Sequence, residues 1–248
     1  MVQRLDKLLA SQGTQSRRDA QRRIRSGAVT VDGSVCRDPA VKVDPDRQRI
    51  DVAGESLRYR QHLYIMLNKP AGILCVSRDP KARTVVDLLP DPLRRKGLFP
   101  AGRLDKDTVG LVLLTDDGDY AHRILSPKKQ IEKCYHARVN GPILPEHIEA
   151  FRQGTSLEDG TVCRPAMLRV LEDGENPLTE VVITEGRYHQ VKRMFASAGR
   201  QVLWLKRVSI GGLSLDAQLA EGESRELTET ERKAVFAGLP HNFCEKCP

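Results

Sequence analysis

Apolar residues occur along this chain in short runs that are separated by polar, glycine-containing and proline-containing segments. The run from Leu111 to Leu114 is bounded by Gly110 and by Thr115-Asp116-Asp117-Gly118, a pattern typical of a short, fully buried strand. Similar runs predict strands at 63–67, 73–76, 133–139, 167–171, 179–184, 203–205 and 213–215. Helical spacing and capping residues predict helices at about 4–11, 16–27, 84–89, 119–125, 145–153, 186–197 and after Thr228. None of the runs approaches the length of a membrane span.

The segment just before the buried strand has the opposite character. Residues 102–108 contain one glycine, four charged side chains and a threonine. A charged loop that leads into a rigid strand is an arrangement common at sites of chemistry. Asp105 has Arg103 two residues before it and Lys106 directly after it, and nearby positive charge favours the ionised carboxylate. Such a carboxylate can act as a nucleophile, a base or a metal ligand. This stretch alone also fits a turn in which Asp105 bonds the local backbone.

Composition and charge narrow the class of partner. The chain has 248 residues, enough for two modest domains, and 40% of them are hydrophobic, enough for packed cores. The net charge is +7, and the first 60 residues hold 13 basic and 8 acidic side chains. This balance favours a polyanionic partner, most often nucleic acid. Neither Gly-x-Gly-x-x-Gly after a strand nor a Walker loop is present, so the sequence predicts no nucleotide cofactor.

The cysteines indicate a cytoplasmic protein without disulfides. The first four of the six are scattered without a repeated spacing, as free thiols usually are. Cys244 and Cys247 form a C-x-x-C pair with His241 nearby. A zinc site needs four ligands, usually in two pairs, and the sequence has no second pair. We therefore expect a C-terminal tail at 236–248 and no metal, with metal binding and redox activity as the alternatives.

The first sixty residues predict a small basic module. A second helix starts at Ser16, where Asp19 completes a capping box, and Gly27 is well placed to end it. Asp32-Gly33 lies between β-forming residues, which is a strong hairpin signal. The second helix carries Arg17, Arg18, Arg22, Arg23 and Arg25. Their mutual repulsion is relieved when an anion such as RNA phosphate binds, although a solvated helix face is the alternative. Residues 44–62 are polar and lack periodicity, which predicts a linker.

Three stretches of this module follow one another in a characteristic order: Arg-Leu-Asp-Lys-Leu-Leu, Ser-Arg-Arg-Asp-Ala and Ile-Arg-Ser-Gly-Ala-Val-Thr-Val-Asp-Gly. Together they resemble the S4 RNA-binding domain over about residues 2–50. The resemblance implies a small αβ module that grips structured RNA through its second helix and its hairpin. We expect residues 1–60 to form this domain, with RNA contacts from Arg17, Arg18 and Arg22.

Four later stretches together resemble the pseudouridine synthases. They are Gly-Arg-Leu-Asp-Lys-Asp-Thr-Val-Gly-Leu (102–111), Glu-Lys-Cys-Tyr (132–135), Glu-Gly-Arg-Tyr-His-Gln-Val-Lys-Arg-Met (185–194) and Leu-Lys-Arg-Val-Ser-Ile-Gly-Gly (205–212). The chain looks closest to the small-subunit ribosomal RNA branch represented by RsuA, which also carries an N-terminal S4 domain. The implied fold is α+β, with a catalytic domain at 61–235 built on a mixed, mainly antiparallel sheet with flanking helices.

The resemblance also implies a reaction and its residues. A uridine already in RNA is isomerised without a cofactor: the base leaves C1′ of the ribose, turns, and is reattached through C5. Asp105 is the essential aspartate, which attacks the nucleoside or abstracts a ribose proton. Tyr135 lies against the target base, and Lys192 keeps Asp105 ionised. Further RNA contacts are expected from Arg103, Arg187, Arg193 and Leu205.

Several alternatives remain open at this point. Tyr135 also fits a core tyrosine, and Lys192 and Arg193 also fit a solvated helix face. We expect a cytoplasmic monomer that acts on 16S ribosomal RNA or on a ribosome assembly intermediate. The other hypotheses are the same chemistry on 23S ribosomal RNA and a non-catalytic RNA-binding or ribosome-assembly protein. The intact set of Asp105, Tyr135 and Lys192 favours an enzyme.

Overall fold

The computed structural model describes residues 2–239, which form two compact units. The first unit comprises the residues up to Leu63 together with Pro90–Leu98. The second comprises Tyr64–Leu89 and the residues from Phe99 onward. The predicted C-x-x-C pair and most of the predicted tail lie outside the described residues. Within residues 2–239, no helix is both long and apolar enough to cross a membrane.

The first unit packs two helices against short antiparallel strands. Its elements are β1 (Gln3–Arg4), α1 (Leu5–Ser11), α2 (Arg17–Arg25), β2 (Val29–Val31), β3 (Ser34–Val35), β4 (Lys42–Val43), β5 (Ile50–Val52) and β6 (Glu55–Ser56). Strands β3, β2, β5 and β6 form one sheet in that order, and β1 pairs with β4. The core contains Leu5, Leu8, Leu9, Ala20, Ile24, Val29, Val43 and Ile50. Among them, Leu5, Leu8 and Leu9 form the apolar face of α1 that their helical spacing predicts.

Local signals in the first unit act as the sequence predicts. The Ser16 side chain accepts from the Asp19 N–H, and the Asp19 carboxylate accepts from the Ser16 N–H. Asp32 and Gly33 both have positive φ, at 50° and 80°, the geometry of a type I′ hairpin turn between β2 and β3. The predicted linker at 44–62 is wrong, because this segment supplies β5 and β6. These strands have only three and two residues, too few for a clear alternation of apolar and polar residues.

The second unit is built on a nine-stranded sheet. Its strands are β7 (Tyr64–Lys69), β8 (Phe99–Pro100), β9 (Val109–Thr115), β10 (Lys133–Val139), β11 (Met167–Glu172), β12 (Leu178–Ile183), β13 (Val202–Ile210), β14 (Leu213–Ser214) and β15 (Ser224–Glu226). Its helices are α3 (Gly118–Leu125), α4 (Pro145–Gln153), α5 (Gln190–Ser197) and α6 (Glu229–Ala234). The main order is β11-β12-β10-β13-β9-β7-β15, with β14 on β13 and β8 on β9.

The sheet is mixed and mainly antiparallel, as predicted. Among the described strands, the parallel pair is β13 with β9, and the other pairs are antiparallel. All seven residues of β9 are buried, which confirms the strand predicted from its apolar run. The main core joins this strand to α3 through Leu111, Leu113, Tyr120, Ala121 and Ile124. A second contact joins α4 to α5, where the Phe151 and Phe195 ring centroids lie 5.1 Å apart.

Three predicted elements of the second unit differ in the structure. Residues 73–76 form no strand, and one isolated bridge joins Leu74 to Thr84. Residues 84–89 form turns rather than a helix. The Asp87 N–H donates to the Thr84 carbonyl and the Leu89 N–H donates to the Val86 carbonyl, and Pro90 ends the segment before an α-helical turn is completed. Helix α5 begins at Gln190 instead of near residue 186. The residue before it, His189, has a left-handed backbone with φ 49° and ψ 32°, which an α-helix cannot continue through.

Candidate active site

The loop before β9 is held in place by a buried lysine. Lys69 is fully buried at the end of β7, and its ammonium donates to three backbone carbonyls. Two of these belong to the loop, those of Lys106 at 3.0 Å and Thr108 at 2.8 Å. The Thr108 N–H also donates to the Asp105 carbonyl at 3.2 Å. Burial lowers the pKa of Lys69. The loop therefore has a rigid backbone at the position that carries Asp105.

Two basic side chains from the α5 region reach the Asp105 carboxylate. Lys192 Nζ lies 3.2 Å from Asp105 Oδ2, and His189 Nε2 lies 3.4 Å from Oδ1. Lys192 also contacts Asp107 Oδ1 at 2.6 Å. Burial alone would lower the pKa of Lys192, but its contacts with Asp107 and Asp105 outweigh this and raise it. The hydrogen bond from Lys192 lowers the pKa of Asp107. The Lys192 ammonium therefore lies between the carboxyl groups of Asp105 and Asp107.

Six of the seven predicted residues of the second unit meet around one cavity. Its lining includes Arg103, Asp105, Tyr135, Arg187, Lys192 and Leu205. Tyr135 on β10 and Leu205 on β13 are 7% and 5% exposed. They form an apolar wall, while the Asp105 side chain keeps 24% of its surface exposed to the cavity and solvent. This arrangement can hold a flat ring against Tyr135 with a carboxylate beside it.

The arginines predicted to bind phosphate occupy different environments. Arg103 is exposed in the loop, and Arg187 forms an ion pair with Glu185 at 3.1 Å. Arg193 does not line the cavity and pairs with Asp159 at 2.6 Å. Arg103 and Arg187 therefore lie at the cavity, where a nucleic-acid backbone can reach them, whereas Arg193 lies beside it.

Sequence reasoning missed three basic residues that line the same cavity: Lys133, His189 and Arg207. Lys133 is 8% exposed, and Arg207 is 2% exposed. Lys133 and Arg207 lie within the stretches 132–135 and 205–212 that resemble the family, so the motifs could have indicated them. Their burial follows from strand pairing, because Arg207 on β13 lies directly opposite Tyr135 on β10.

A separate group of possible metal ligands lies on the other face of β10. Cys134, His136 and Glu180 bring their ligand atoms within 4.8 Å of one another. The Glu180 carboxylate already has a cation partner, because Arg169 Nε lies 2.7 Å from Oε1. Burial raises the pKa of the Cys134 thiol, which disfavours the thiolate that a metal requires. The arrangement is that of a buried ion-pair network.

Comparison with known families identifies both units. A family model described as RNA pseudouridylate synthase matches residues 63–197, and a model of the S4 domain matches residues 3–48. The chain belongs to the RNA pseudouridylate synthase family. Its members are enzymes, and this chain combines the synthase fold with an S4 domain, as the sequence motifs indicate.

Similar proteins cover nearly the whole length of this synthase. It is 47% identical over 237 residues to the "Ribosomal small subunit pseudouridine synthase A" of Escherichia coli (strain K12), which spans 94% of this chain and 99% of that protein. It is 47% identical over 229 residues to the "Uncharacterized RNA pseudouridine synthase YtzG" of Bacillus subtilis (strain 168), with coverage of 92% and 96%. A crystal structure of a pseudouridylate synthase aligns with a TM-score of 0.65 at 38% identity, with coverage of 94% and 99%.

In the S4 unit of this synthase, the predicted RNA-binding arginines lie on α2. Arg17 pairs with Asp6 at 3.1 Å, and Arg22 pairs with Asp19. The hydrogen bond from Arg4, followed by those from Arg17 and Gln21, holds the pKa of the buried Asp6 carboxyl well below its usual range. Arg17 therefore also supports the fold of this unit. Arg18 is exposed and extends into solvent from the same helix.

Proposed function

We propose that this synthase isomerises a specific uridine of small-subunit (16S) ribosomal RNA to pseudouridine in the cytoplasm. The observation that carries the proposal is the Asp105 carboxylate, which lies 3.2 Å from Lys192 in a cavity walled by Tyr135 and Leu205. The choice of the small subunit rests on the named activity of the Escherichia coli relative, which matches this chain over 94% of its length.

Asp105 is the proposed reactive group. Lys192 contacts the carboxylate and the rigid loop fixes its direction, and only an ionised carboxylate can attack C1′ of the ribose or remove a ribose proton. Both roles need the same geometry. Lysine binds as a point charge and lacks the planar fork of arginine, so Lys192 can contact Asp105 and Asp107 at the same time.

Tyr135 and Leu205 are proposed to hold the uracil ring. The target base must leave its stack to reach a cavity in the protein, which costs a few kcal/mol. Stacking on an aromatic ring returns roughly 1–3 kcal/mol per base. An apolar residue under the ring adds contact area without competing for its hydrogen bonds.

The remaining RNA contacts are proposed for basic side chains in both units. Arg103 and Arg187 line the cavity, and we assign them to phosphates that flank the target, with Arg193 farther out. Arg17, Arg18 and Arg22 on α2 are assigned to structured RNA bound by the S4 domain. Such contacts supply affinity that offsets the cost of extracting the base. We expect the protein to act as a monomer.

Two other functions compete with this proposal: the same chemistry on 23S ribosomal RNA, and RNA binding without catalysis. The test is the release of tritium from C5-labelled uridine in small-subunit and large-subunit transcripts, because pseudouridine formation must expel the C5 hydrogen. We expect release from the small-subunit transcript or from partly assembled small subunits. Release from the large-subunit transcript alone would support the first alternative, and no release from any substrate would support the second.

A further inference from the structure

Two positive side chains lie buried beside Tyr135, and neither has an anionic partner in the part of the chain that the structure describes. Lys133 Nζ donates to the Ile131 carbonyl at 2.7 Å, and Arg207 Nε donates to the Leu111 carbonyl at 2.8 Å. Arg207 Nη2 has no hydrogen-bond partner in the described part of the chain. Among residues 2–239, no carboxylate forms an ion pair with either side chain.

The pair lies on the same wall of the cavity as Tyr135. Lys133 precedes Tyr135 by two residues on β10, so the two side chains extend from the same sheet face. Arg207 is the cross-strand partner of Tyr135 on β13. Both cations line the cavity, so a ring held against Tyr135 lies within reach of their unused N–H donors.

Burying two cations together is unfavourable unless a ligand brings negative charge. Burial, followed by the charge of Arg207, lowers the pKa of Lys133 to about 8. Lysine has three N–H donors and arginine has five. Within the described residues, one donor of each side chain has a protein acceptor. Such a pair beside an active site is positioned to bind a group that is negative or becomes negative during the reaction.

The proposed reaction generates such a group. When the bond between N1 and C1′ breaks, its electron pair stays with the base, and the detached uracil ring carries one negative charge spread over N1, O2 and O4. The ring then bonds to C1′ through C5, the C5 proton leaves, and N1 takes a proton, so the product is an isomer of the substrate. Resting on the function proposed above, we propose that Lys133 and Arg207 are catalytic residues that bind the uracil carbonyl oxygens and stabilise this anion.

A phosphate of the substrate backbone offers similar chemistry, and kinetics separates the two. If the pair contacts the ring, its loss should mainly lower the rate at which bound RNA reacts, because the negative charge of the ring develops only during the reaction. Contact with a phosphate should act mainly on RNA affinity, because that charge is present from the start.

The test uses the full-length protein with Lys133→Met, Lys133→Arg and a control, Arg138→Met. Arg138 lies on the same strand but is 45% exposed and pairs with Glu172 at 2.7 Å, so its loss removes the same charge away from the cavity. Single-turnover tritium release is measured with enzyme in excess, RNA affinity by fluorescence anisotropy, and folding by thermal unfolding. We expect Lys133→Met to slow release by about 100-fold with RNA affinity within about threefold of wild type. Lys133→Arg should recover most of the rate, and Arg138→Met should match wild type.

Three results would overturn the inference: release by Lys133→Met at the wild-type rate, a loss of affinity with an unchanged saturated rate, or a folded Lys133→Arg as slow as Lys133→Met. The second would assign the pair to a phosphate, and the third to a role of shape rather than charge. Failure of the proposed function differs from all three, because the wild-type protein itself would then release no tritium.

Discussion

Gly110 is a position at which a single added methyl group should strongly destabilise the catalytic unit. It lies at the start of β9 with φ +98°, and its register partner on the parallel strand β13 is Arg207. A Cβ atom added there would lie 2.3 Å from the Arg207 carbonyl oxygen and 2.9 Å from Lys206 Cγ. The first contact is with backbone, which cannot rotate away, so the two strands would have to separate.

The expected cost has two parts. A non-glycine residue with positive φ costs about 1–3 kcal/mol, and overpacking between two buried strands costs about 1–3 kcal/mol more. Gly110→Ala should therefore lose on the order of 4 kcal/mol of unfolding free energy. In urea this loss should move the midpoint by more than about 1 M.

The chain offers a probe and a control for this experiment. Trp204 is the single tryptophan of the sequence and lies on β13, so its fluorescence reports on the affected unit. Gly118 begins α3, and a Cβ added there meets no atom within 4 Å. Gly118→Ala should be neutral or stabilising by up to about 1 kcal/mol. If Gly110→Ala unfolded with the wild-type midpoint and slope, the close approach of β9 and β13 would be refuted.

Three further predictions concern charge and RNA contact. Because the pKa of Lys133 is lowered to about 8 from 10.5, Lys133→Met should stabilise the protein by on the order of 3 kcal/mol at pH 7. This gain in unfolding free energy should shrink between pH 8 and 10.5, because the folded wild type has lost the Lys133 proton there while the unfolded chain keeps it. Urea unfolding of both proteins at pH 7 and pH 10 tests this. A gain that did not change with pH would contradict the prediction. Tyr188 is 73% exposed and stacks on His189 with ring centroids 3.8 Å apart, so its ring is available to stack on an RNA base. Tyr188→Ala should weaken RNA binding by roughly 1–3 kcal/mol in an anisotropy titration. Tyr188→Phe keeps the ring and should bind RNA like the wild type. Arg18→Gln should reduce the salt slope of RNA affinity by about 1, and an unchanged slope would remove Arg18 from the interface.

Sequence reasoning grouped three motif residues that lie close together in the structure. Asp105, Tyr135 and Lys192 come from a loop, a strand and a helix that are far apart in sequence, and all three line one cavity. The resemblance to the family supplied this grouping, since local patterns describe each residue only as a turn, strand or helix-face residue. Strand β9 is predictable without the family resemblance, because its apolar run is continuous.

Other features depend on tertiary contacts that local patterns do not encode. The contact of His189 with Asp105 needs a left-handed residue just before α5, whereas the sequence predicts a helix through this position. The isolation of Lys133 and Arg207 follows from the burial of two paired strands, although a lone lysine or arginine usually indicates an exposed face. The strands β5 and β6 were mistaken for a linker because they are stabilised by pairing rather than by apolar content.

The central claim is that the Asp105 carboxylate performs chemistry and does not anchor RNA. Its most direct test compares Asp105→Asn with Asp119→Asn, an exposed aspartate in the first turn of α3, for single-turnover tritium release and for RNA affinity. We predict that Asp105→Asn loses at least about a thousandfold in release while its affinity stays within about threefold of wild type, and that Asp119→Asn matches wild type in both. Release by Asp105→Asn within about tenfold of wild type, or a loss of release that follows a loss of binding, would contradict the claim.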